Sequence, residues 1–99
     1  MKTTREILQF LLKHRCKVTG SYARGEQTGE SDLDIYVPEK EWIEVREVLL
    51  AEGFRTSAIG QFHNFLHEPR LEISWRFYKQ PAKIRLPLVV VAGVTFKTW

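Results

Sequence analysis

The sequence predicts an α+β domain in which a mixed β-sheet packs against two or three helices. Apolar residues at helical spacing occur early in the chain, in residues 4–14 and again after Pro38. Patterns typical of strands occur at residues 32–37 and fill most of the second half. Early helices followed by a run of strands favour the α+β class. With 99 residues, the chain is expected to form a single domain over residues 1–99.

The first helix has a recognisable start. Thr3 and Glu6 have the spacing of a capping box, in which each side chain accepts a hydrogen bond from the other residue's backbone N–H. Residues 16–19 then predict a short strand. Residues 21–24 predict a single helical turn, which Gly25 would end because glycine readily adopts a positive φ.

Residues 32–37 predict a strand whose two faces differ in character. Leu33, Ile35 and Val37 share one face, and the other face carries Asp32, Asp34 and Tyr36. Pro38 ends this strand and suits the start of a second long helix, which Gly53 would cap. Further strands are predicted over residues 54–59, 61–67 and 71–77. Residues 83–99 predict a strand pair with a turn at Ala92-Gly93.

The composition argues against a secreted or membrane protein. Cys16 is the only cysteine, so no internal disulfide can form, and we expect a buried thiol in a cytoplasmic protein. Residues 86–94 are apolar but have about half the length that a membrane span needs. The N-terminal apolar stretch is too short and too polar for a signal peptide. We therefore expect no membrane association.

Charge is distributed unevenly along the chain. Residues 1–25 hold six basic residues and one acid, residues 26–52 hold two and nine, and residues 53–99 hold seven and two. An acidic centre between two basic ends suits a protein that binds cations and polyanions at neighbouring positions. The alternative is that residues 39–52 form one solvated acidic helix, which holds five of the nine acids.

A short segment combines two features of a phosphate and metal site. Asp32 and Asp34 project from the same face of a packed strand, where two like charges are stabilised by a divalent cation. Gly20-Ser21 stands at a predicted strand-to-helix turn, where backbone N–H groups and a hydroxyl can bind phosphate. An exposed acidic edge and an ordinary turn are the alternative readings. The combination within 15 residues favours a site.

The segment "GSYARGEQTGESDLDIYV", residues 20–37, resembles the signature of the DNA polymerase beta nucleotidyltransferase superfamily. It is most similar to the minimal nucleotidyltransferases, whose form is Gly-Ser-x-Ala-Arg-Gly followed by Ser-Asp-x-Asp. Arg24, Gly25 and Ser31 fit this form. The resemblance implies that Gly20 and Ser21 hold the β- and γ-phosphates of a nucleoside triphosphate, with Arg24 and Ser31 beside them. It also implies that Asp32 and Asp34 bind Mg²⁺ or Mn²⁺.

The resemblance also implies a third carboxylate on a neighbouring strand, which helps to bind a second metal ion and activates the attacking hydroxyl. Glu72 is the best candidate, since it alternates with the apolar residues of "LEISWRF". The family more often has aspartate here, Glu68 is a rival, and a structural salt bridge is the alternative. Arg76, expected on the same face as Glu72, could neutralise phosphate charge.

The expected function is metal-dependent transfer of a nucleoside monophosphate from a triphosphate, ATP above others, to a hydroxyl of a protein, a small molecule or an RNA. Among minimal relatives, the resemblance suggests an antitoxin that modifies a HEPN-type partner. The alternative is a catalytically inactive module that binds nucleotide or a toxin. A homodimer through the C-terminal strands is a further hypothesis.

Two other readings are weaker. His63 and His67 stand four apart, as zinc ligands on a helix would, but the segment is predicted to be a strand and has no third ligand nearby. Basic and aromatic residues between 55 and 85 could form a nucleic-acid surface. In a small sheet protein such aromatic residues more often belong to the core, so nucleic-acid binding is not favoured.

Overall fold

The computed structural model describes residues 1–57, 60–64, 66–78 and 84–99. It contains three α-helices, one short 3₁₀ turn and seven strands within these ranges, and the predicted α+β class is confirmed. The helices are α1 (Thr4–Lys13), α2 (Gly20–Arg24) and α3 (Trp42–Ala51), with the 3₁₀ turn at Glu39–Glu41. The strands are β1 (Lys17–Thr19), β2 (Leu33–Tyr36), β3 (Arg55–Thr56), β4 (Phe62–Asn64), β5 (Leu71–Ser74), β6 (Leu88–Val91) and β7 (Val94–Lys97).

The predicted start of α1 and the predicted end of α2 are confirmed. At the start of α1 the Thr3 hydroxyl accepts from the Glu6 N–H, while the Glu6 carboxylate accepts from the Thr3 N–H. At the end of α2, Gly25 has φ 70°, and its N–H donates to the Ser21 and Tyr22 carbonyls. This left-handed conformation ends α2 after five residues. Glycine suits the position because a residue with a Cβ is strained there.

Strands β1 to β5 form a mixed sheet in the order β1-β2-β5-β4-β3. Strand β2 pairs antiparallel with β1 and parallel with β5, and β5 pairs antiparallel with β4. Paired residues of β2 and β5, such as Ile35 and Ile73, are therefore 38 positions apart in sequence but adjacent in space.

Two of the predicted strands are shorter than expected, and side chains explain where they end. The Asn64 side chain accepts a hydrogen bond from the Leu66 N–H, which turns the chain after β4. The Ser74 hydroxyl accepts from the Arg76 N–H in the same way after β5. The strand predicted over residues 61–67 is thus three residues long, and that over 71–77 is four. Parts of the predictions over 54–59 and 61–67, namely residues 58, 59 and 65, lie outside the described residues.

The apolar side chains of the sheet, α1, α3 and the C-terminal hairpin form a common core. Alternation in β2 and β5 buries Leu33, Ile35, Leu71 and Ile73, while the intervening Asp34 and Glu72 stay partly exposed on the other face. Cys16 is 3% exposed within this core, so the expected burial of its thiol is confirmed. The sheet therefore has one apolar face and one face free for polar chemistry.

Strands β6 and β7 form the predicted C-terminal hairpin, with Ala92 and Gly93 both at positive φ in the turn. After β7 the chain reaches the edge of the main sheet, where Thr98 bridges Val18 in parallel and the Trp99 N–H donates to the Val18 carbonyl. The last residues therefore lie beside β1. None of the described helices is both long and apolar enough to cross a membrane.

Candidate active site

The polar face of the sheet brings three acidic side chains together. In the β2–β5 register Asp34 lies directly opposite Glu72, and Asp32 precedes β2 on the same face as Asp34. The antiparallel partner of Asp34 on the other side is Thr19, the last residue of β1 before α2. Since parallel β2 and β5 start at the same edge of the sheet, carboxylates from distant parts of the sequence converge there.

These residues line an open cleft with a volume of about 420 Å³. The cleft is bounded by the β1–α2 turn, by the residues that precede and form β2, by β5 and by the chain on either side of residues 79–83. Its described lining residues are Thr19, Gly20, Ser21, Arg24, Ser31, Asp32, Asp34, Glu72, Phe77, Tyr78 and Arg85. The Gly-Ser turn and the three carboxylates thus share one cleft.

Gly20 allows the turn and the acids to approach closely. Its φ is +70°, and a Cβ at this position would overlap Oδ2 of Asp34. A side chain is therefore excluded for two reasons, the strained φ and the occupied space. The absence of a side chain leaves the backbone at the start of α2 in direct contact with the carboxylate of Asp34.

Asp34 and Glu72 are both carboxyl groups whose ionised form is disfavoured. Burial, followed by the negative charge of Glu72, raises the pKa of Asp34 to about 7. Burial also raises the pKa of Glu72, and its interaction with Asp32 adds to this effect. Like charges that share a partly desolvated cleft disfavour each other's ionised form.

Asp32 has a cation partner that the sequence did not reveal. The Arg70 Nε lies 2.8 Å from Asp32 Oδ1, and an Arg70 terminal nitrogen donates to the Glu30 carbonyl at 2.7 Å. The contact with Oδ1 is an ion pair without the alignment of a hydrogen bond, so this shielded oxygen accepts none from the described residues. Arg70 therefore restrains Asp32 and partly neutralises its charge.

Arg24 and Ser31 lie at the rim of the cleft. Arg24 Nε donates to Glu26 Oε2 at 3.0 Å, and its positive charge partly offsets the rise in the pKa of Asp34. The Ser31 hydroxyl accepts from the Thr28 N–H at 2.8 Å and so shapes the loop before Asp32. Both predicted residues are in the cleft, Arg24 as a nearby cation and Ser31 as part of its wall.

Glu68 and Arg76 lie elsewhere. Glu68 is beside Gly29, Glu30 and Arg70 in a different depression, so Glu72 is the third acid of this cleft. Arg76 has its guanidinium carbon 4.8 Å from the Trp75 ring centre and close to Gly60. Because β5 ends at Ser74, the alternation that would place Arg76 beside Glu72 does not continue, and its nucleotide-binding role stays a prediction.

A tighter cluster of potential metal ligands lies away from the cleft. Among the described residues, His14, Glu41 and Glu44 bring one nitrogen and two oxygens within 4.8 Å of one another, and His14 Nδ1 is 2.8 Å from Glu41 Oε2. This ion pair joins the end of α1 to the chain that enters α3. The two histidines considered for zinc are separated, since His63 lies opposite Glu72 in the sheet and His67 is paired with the Thr4 hydroxyl.

The three carboxylates of the cleft fit a hard divalent cation in their chemistry. Carboxylate oxygens are the ligands such ions prefer, and Mg²⁺ keeps several positions for water or phosphate. The raised pKa of Asp34 and of Glu72 indicates carboxylates whose ionised form a cation would stabilise. The sequence suggested Arg70, Phe77, Tyr78 and Arg85 only for a nucleic-acid surface. The folded chain places the last three in this cleft and Arg70 beside Asp32.

A turn that can bind phosphate and carboxylates that can bind metal, together in one cleft, fit the class of enzymes that transfer phosphoryl or nucleotidyl groups. The family described as nucleotidyltransferase domain matches residues 1–89, most of the chain. This protein therefore belongs to the nucleotidyltransferase domain family, and the predicted resemblance is confirmed.

A relative in Methanocaldococcus jannaschii carries the name "putative protein adenylyltransferase". It is 48% identical to this chain over a stretch that covers 37% of this chain and 48% of the relative. The matched stretch thus spans about half the length of that relative. No solved structure matches the chain significantly.

Proposed function

We propose that this protein transfers the nucleoside monophosphate of a nucleoside triphosphate, ATP above others, to a hydroxyl group in a reaction that needs a divalent cation. The observation that carries the proposal is the cleft that holds Gly20-Ser21 together with Asp32, Asp34 and Glu72. A phosphate-binding turn and a set of metal ligands in contact are what nucleotidyl transfer requires. Membership of the nucleotidyltransferase domain family supports the reaction class.

In this proposal the β1–α2 turn binds the β- and γ-phosphates. Gly20 lets the phosphate oxygens approach the backbone, and the Ser21 hydroxyl donates a hydrogen bond to them. Arg24 and Ser31 line the cleft around the same group. These residues hold the leaving pyrophosphate while the α-phosphorus faces the acids.

Asp32, Asp34 and Glu72 are the proposed ligands of Mg²⁺ or Mn²⁺, which when bound would neutralise the charge that develops on the phosphate oxygens. Glu72 also accepts the proton of the attacking hydroxyl. The hydroxyl oxygen forms a bond to the α-phosphorus as the bond to the β-phosphate oxygen breaks. Pyrophosphate leaves, and the acceptor carries the nucleoside monophosphate.

We propose a protein side chain as the acceptor. The support is the name of the Methanocaldococcus jannaschii relative, which describes modification of a protein with AMP. A HEPN-type partner, a homodimer through the C-terminal strands and a cytoplasmic location stay predictions.

Calorimetric titration with ATP tests the proposal, with and without Mg²⁺, on the wild type and on Asp34→Asn. We expect binding that needs the cation and is lost in the variant. Incubation of a cell extract with [α-³²P]ATP should then label a protein through a bond that phosphodiesterase cleaves, and Asp34→Asn should leave it unlabelled. Absence of triphosphate binding by folded wild-type protein contradicts the proposal and favours an inactive or partner-dependent module.

A further inference from the structure

Arg85 lies in the cleft although it is 51 residues beyond Asp34 in the sequence. Its side chain is partly buried and lines the cavity with Ser21 and Arg24. It precedes β6 and belongs to no helix or strand. Its position therefore depends on contacts with other parts of the chain.

The guanidinium of Arg85 is oriented by the backbone of Trp99. Arg85 Nε donates to the Trp99 main-chain oxygen at 2.7 Å, a short and well-formed hydrogen bond. Because a guanidinium is planar and rigid, a bond from Nε sets the plane of the two terminal nitrogens as well. The Trp99 main-chain oxygen thus sets the orientation of the Arg85 guanidinium group.

The residue after Arg85 is attached to the phosphate-binding helix. The Leu86 N–H donates to the Ala23 carbonyl at 2.8 Å, and the Thr98 hydroxyl donates to the Leu86 carbonyl at 2.6 Å. The Leu86 side chain packs against Gly25, where a Cβ would lie 3.3 Å from Leu86 Cδ1. The backbone that carries Arg85 is therefore held between α2 and the last residues of the chain.

Trp99 is itself attached to the polar face of the sheet. Its N–H donates to the Val18 carbonyl at 2.8 Å, and its ring stacks on Tyr36 with centroids 4.0 Å apart and planes 2° from parallel. Tyr36 lies on the same face of β2 as Asp34. A continuous set of contacts thus joins the acid-bearing strand through Tyr36 and Trp99 to Arg85.

We propose that Arg85 is a polyphosphate-binding residue of this cleft and that Trp99 is its positioning residue. This inference rests on the proposed function and extends it to a residue outside the Gly-Ser and Asp-x-Asp segments. A nucleoside triphosphate carries about four negative charges, whereas the described basic residues that line the cleft are Arg24 and Arg85. Arg85 adds positive charge to the cleft from a part of the chain far from Arg24 in the sequence.

Binding of ATP and of adenosine in the presence of Mg²⁺ tests the inference, with wild type, Arg85→Gln and Arg85→Lys. Gln keeps a donor for the Trp99 oxygen and removes the charge, so the fold is retained while phosphate binding is lost. We expect Arg85→Gln to weaken ATP binding about tenfold or more, because loss of a hydrogen bond to a charged group usually lowers affinity by about that factor. Adenosine binding should be unchanged. Arg85→Lys should restore part of the loss, because it keeps a point charge but not the planar fork.

Arg46→Ala is the matched control, because Arg46 is exposed on α3 away from the cleft. It should bind ATP as the wild type does, apart from a small effect of net charge. Circular dichroism and thermal unfolding of each variant confirm that it is folded.

A double-mutant cycle tests the role of Trp99. Trp99→Ala should weaken ATP binding about threefold or more in the wild-type background and have no further effect in Arg85→Gln, because both changes act through one group. Equal losses in the two backgrounds overturn the positioning role. Equal ATP affinity of folded Arg85→Gln and wild type overturns the inference alone, whereas no ATP binding by wild type refutes the proposed function.

Discussion

Asp34 and Glu72 lie directly opposite each other on the parallel strands β2 and β5, on the polar face of the sheet. Their side chains share a partly buried cleft with Asp32. Burial and the negative charge of the neighbouring carboxylates raise the pKa of both groups. The same two strands present Ile35 opposite Ile73 on the apolar face. A cluster of carboxylates that is unfavourable by itself is thus held in place by core packing on the other side of the sheet.

Asp34→Asn should stabilise the metal-free protein at alkaline pH. The folded-state pKa of Asp34 is raised to about 7 from 3.8, so its contribution is fully present below about pH 4 and is lost as the pH rises through 7. Asparagine removes the buried charge, and the free energy of unfolding at pH 8 should rise by about 1–3 kcal/mol. Urea unfolding in EDTA at pH 5 and pH 8 measures this.

The difference between variant and wild type should be smaller at pH 5 than at pH 8. Saturating Mg²⁺ should stabilise the wild type at pH 8 more than the variant. A variant that is less stable than the wild type in EDTA at pH 8 contradicts the assignment of Asp34 as a destabilising charge.

Gly20→Ala should impair both stability and nucleotide binding. The added methyl group must adopt a φ of +70° and displace Asp34, which we expect to lower the free energy of unfolding by about 1–3 kcal/mol. Displacement of Asp34 should also abolish measurable ATP binding in the presence of Mg²⁺. Gly29→Ala is the control, since a Cβ there meets nothing within 4 Å. Similar losses in both variants would exclude a special role for Gly20.

Glu72→Gln should reduce the rate of nucleotidyl transfer by a factor of about 10²–10⁴, the usual range for loss of a general base. Glutamine has nearly the same shape but cannot take up the proton of the acceptor. Glu68→Gln should keep transfer activity within about twofold, because Glu68 lies outside the cleft. Transfer of ³²P-labelled AMP under single-turnover conditions measures both. An unchanged rate in Glu72→Gln, or a large loss of rate in Glu68→Gln, would contradict the assignment of Glu72 as the general base.

The Cys16 thiol should be unreactive in the folded protein. It is 3% exposed, and burial followed by the charge of Glu41 raises its pKa to about 12. Since the thiolate is the reactive species, an aromatic disulfide reagent at pH 8 should react with native protein at least about 100-fold more slowly than with protein in 6 M guanidinium chloride, a condition that exposes the thiol. Rapid reaction in the native state would show that Cys16 is not part of the core.

The sequence alone determined the local features of this protein. The capping box at Thr3 and Glu6, the αL residue Gly25 and the turn at Ala92-Gly93 each depend on the chemistry of a few neighbouring residues. Alternation in residues 32–37 correctly separated the acids from the apolar face. The fold class followed from the order of these elements, because local patterns report secondary structure directly.

Only the tertiary structure decided what stands opposite each acid. The strand pairing of β2 with β5 selected Glu72 rather than Glu68, brought Arg70 to Asp32 and placed Arg85 in the cleft. The side chain of Ser74 ended β5 and moved Arg76 away from Glu72. Contacts between residues tens of positions apart depend on which strands pair and in which register, and no local pattern in a single sequence carries that information.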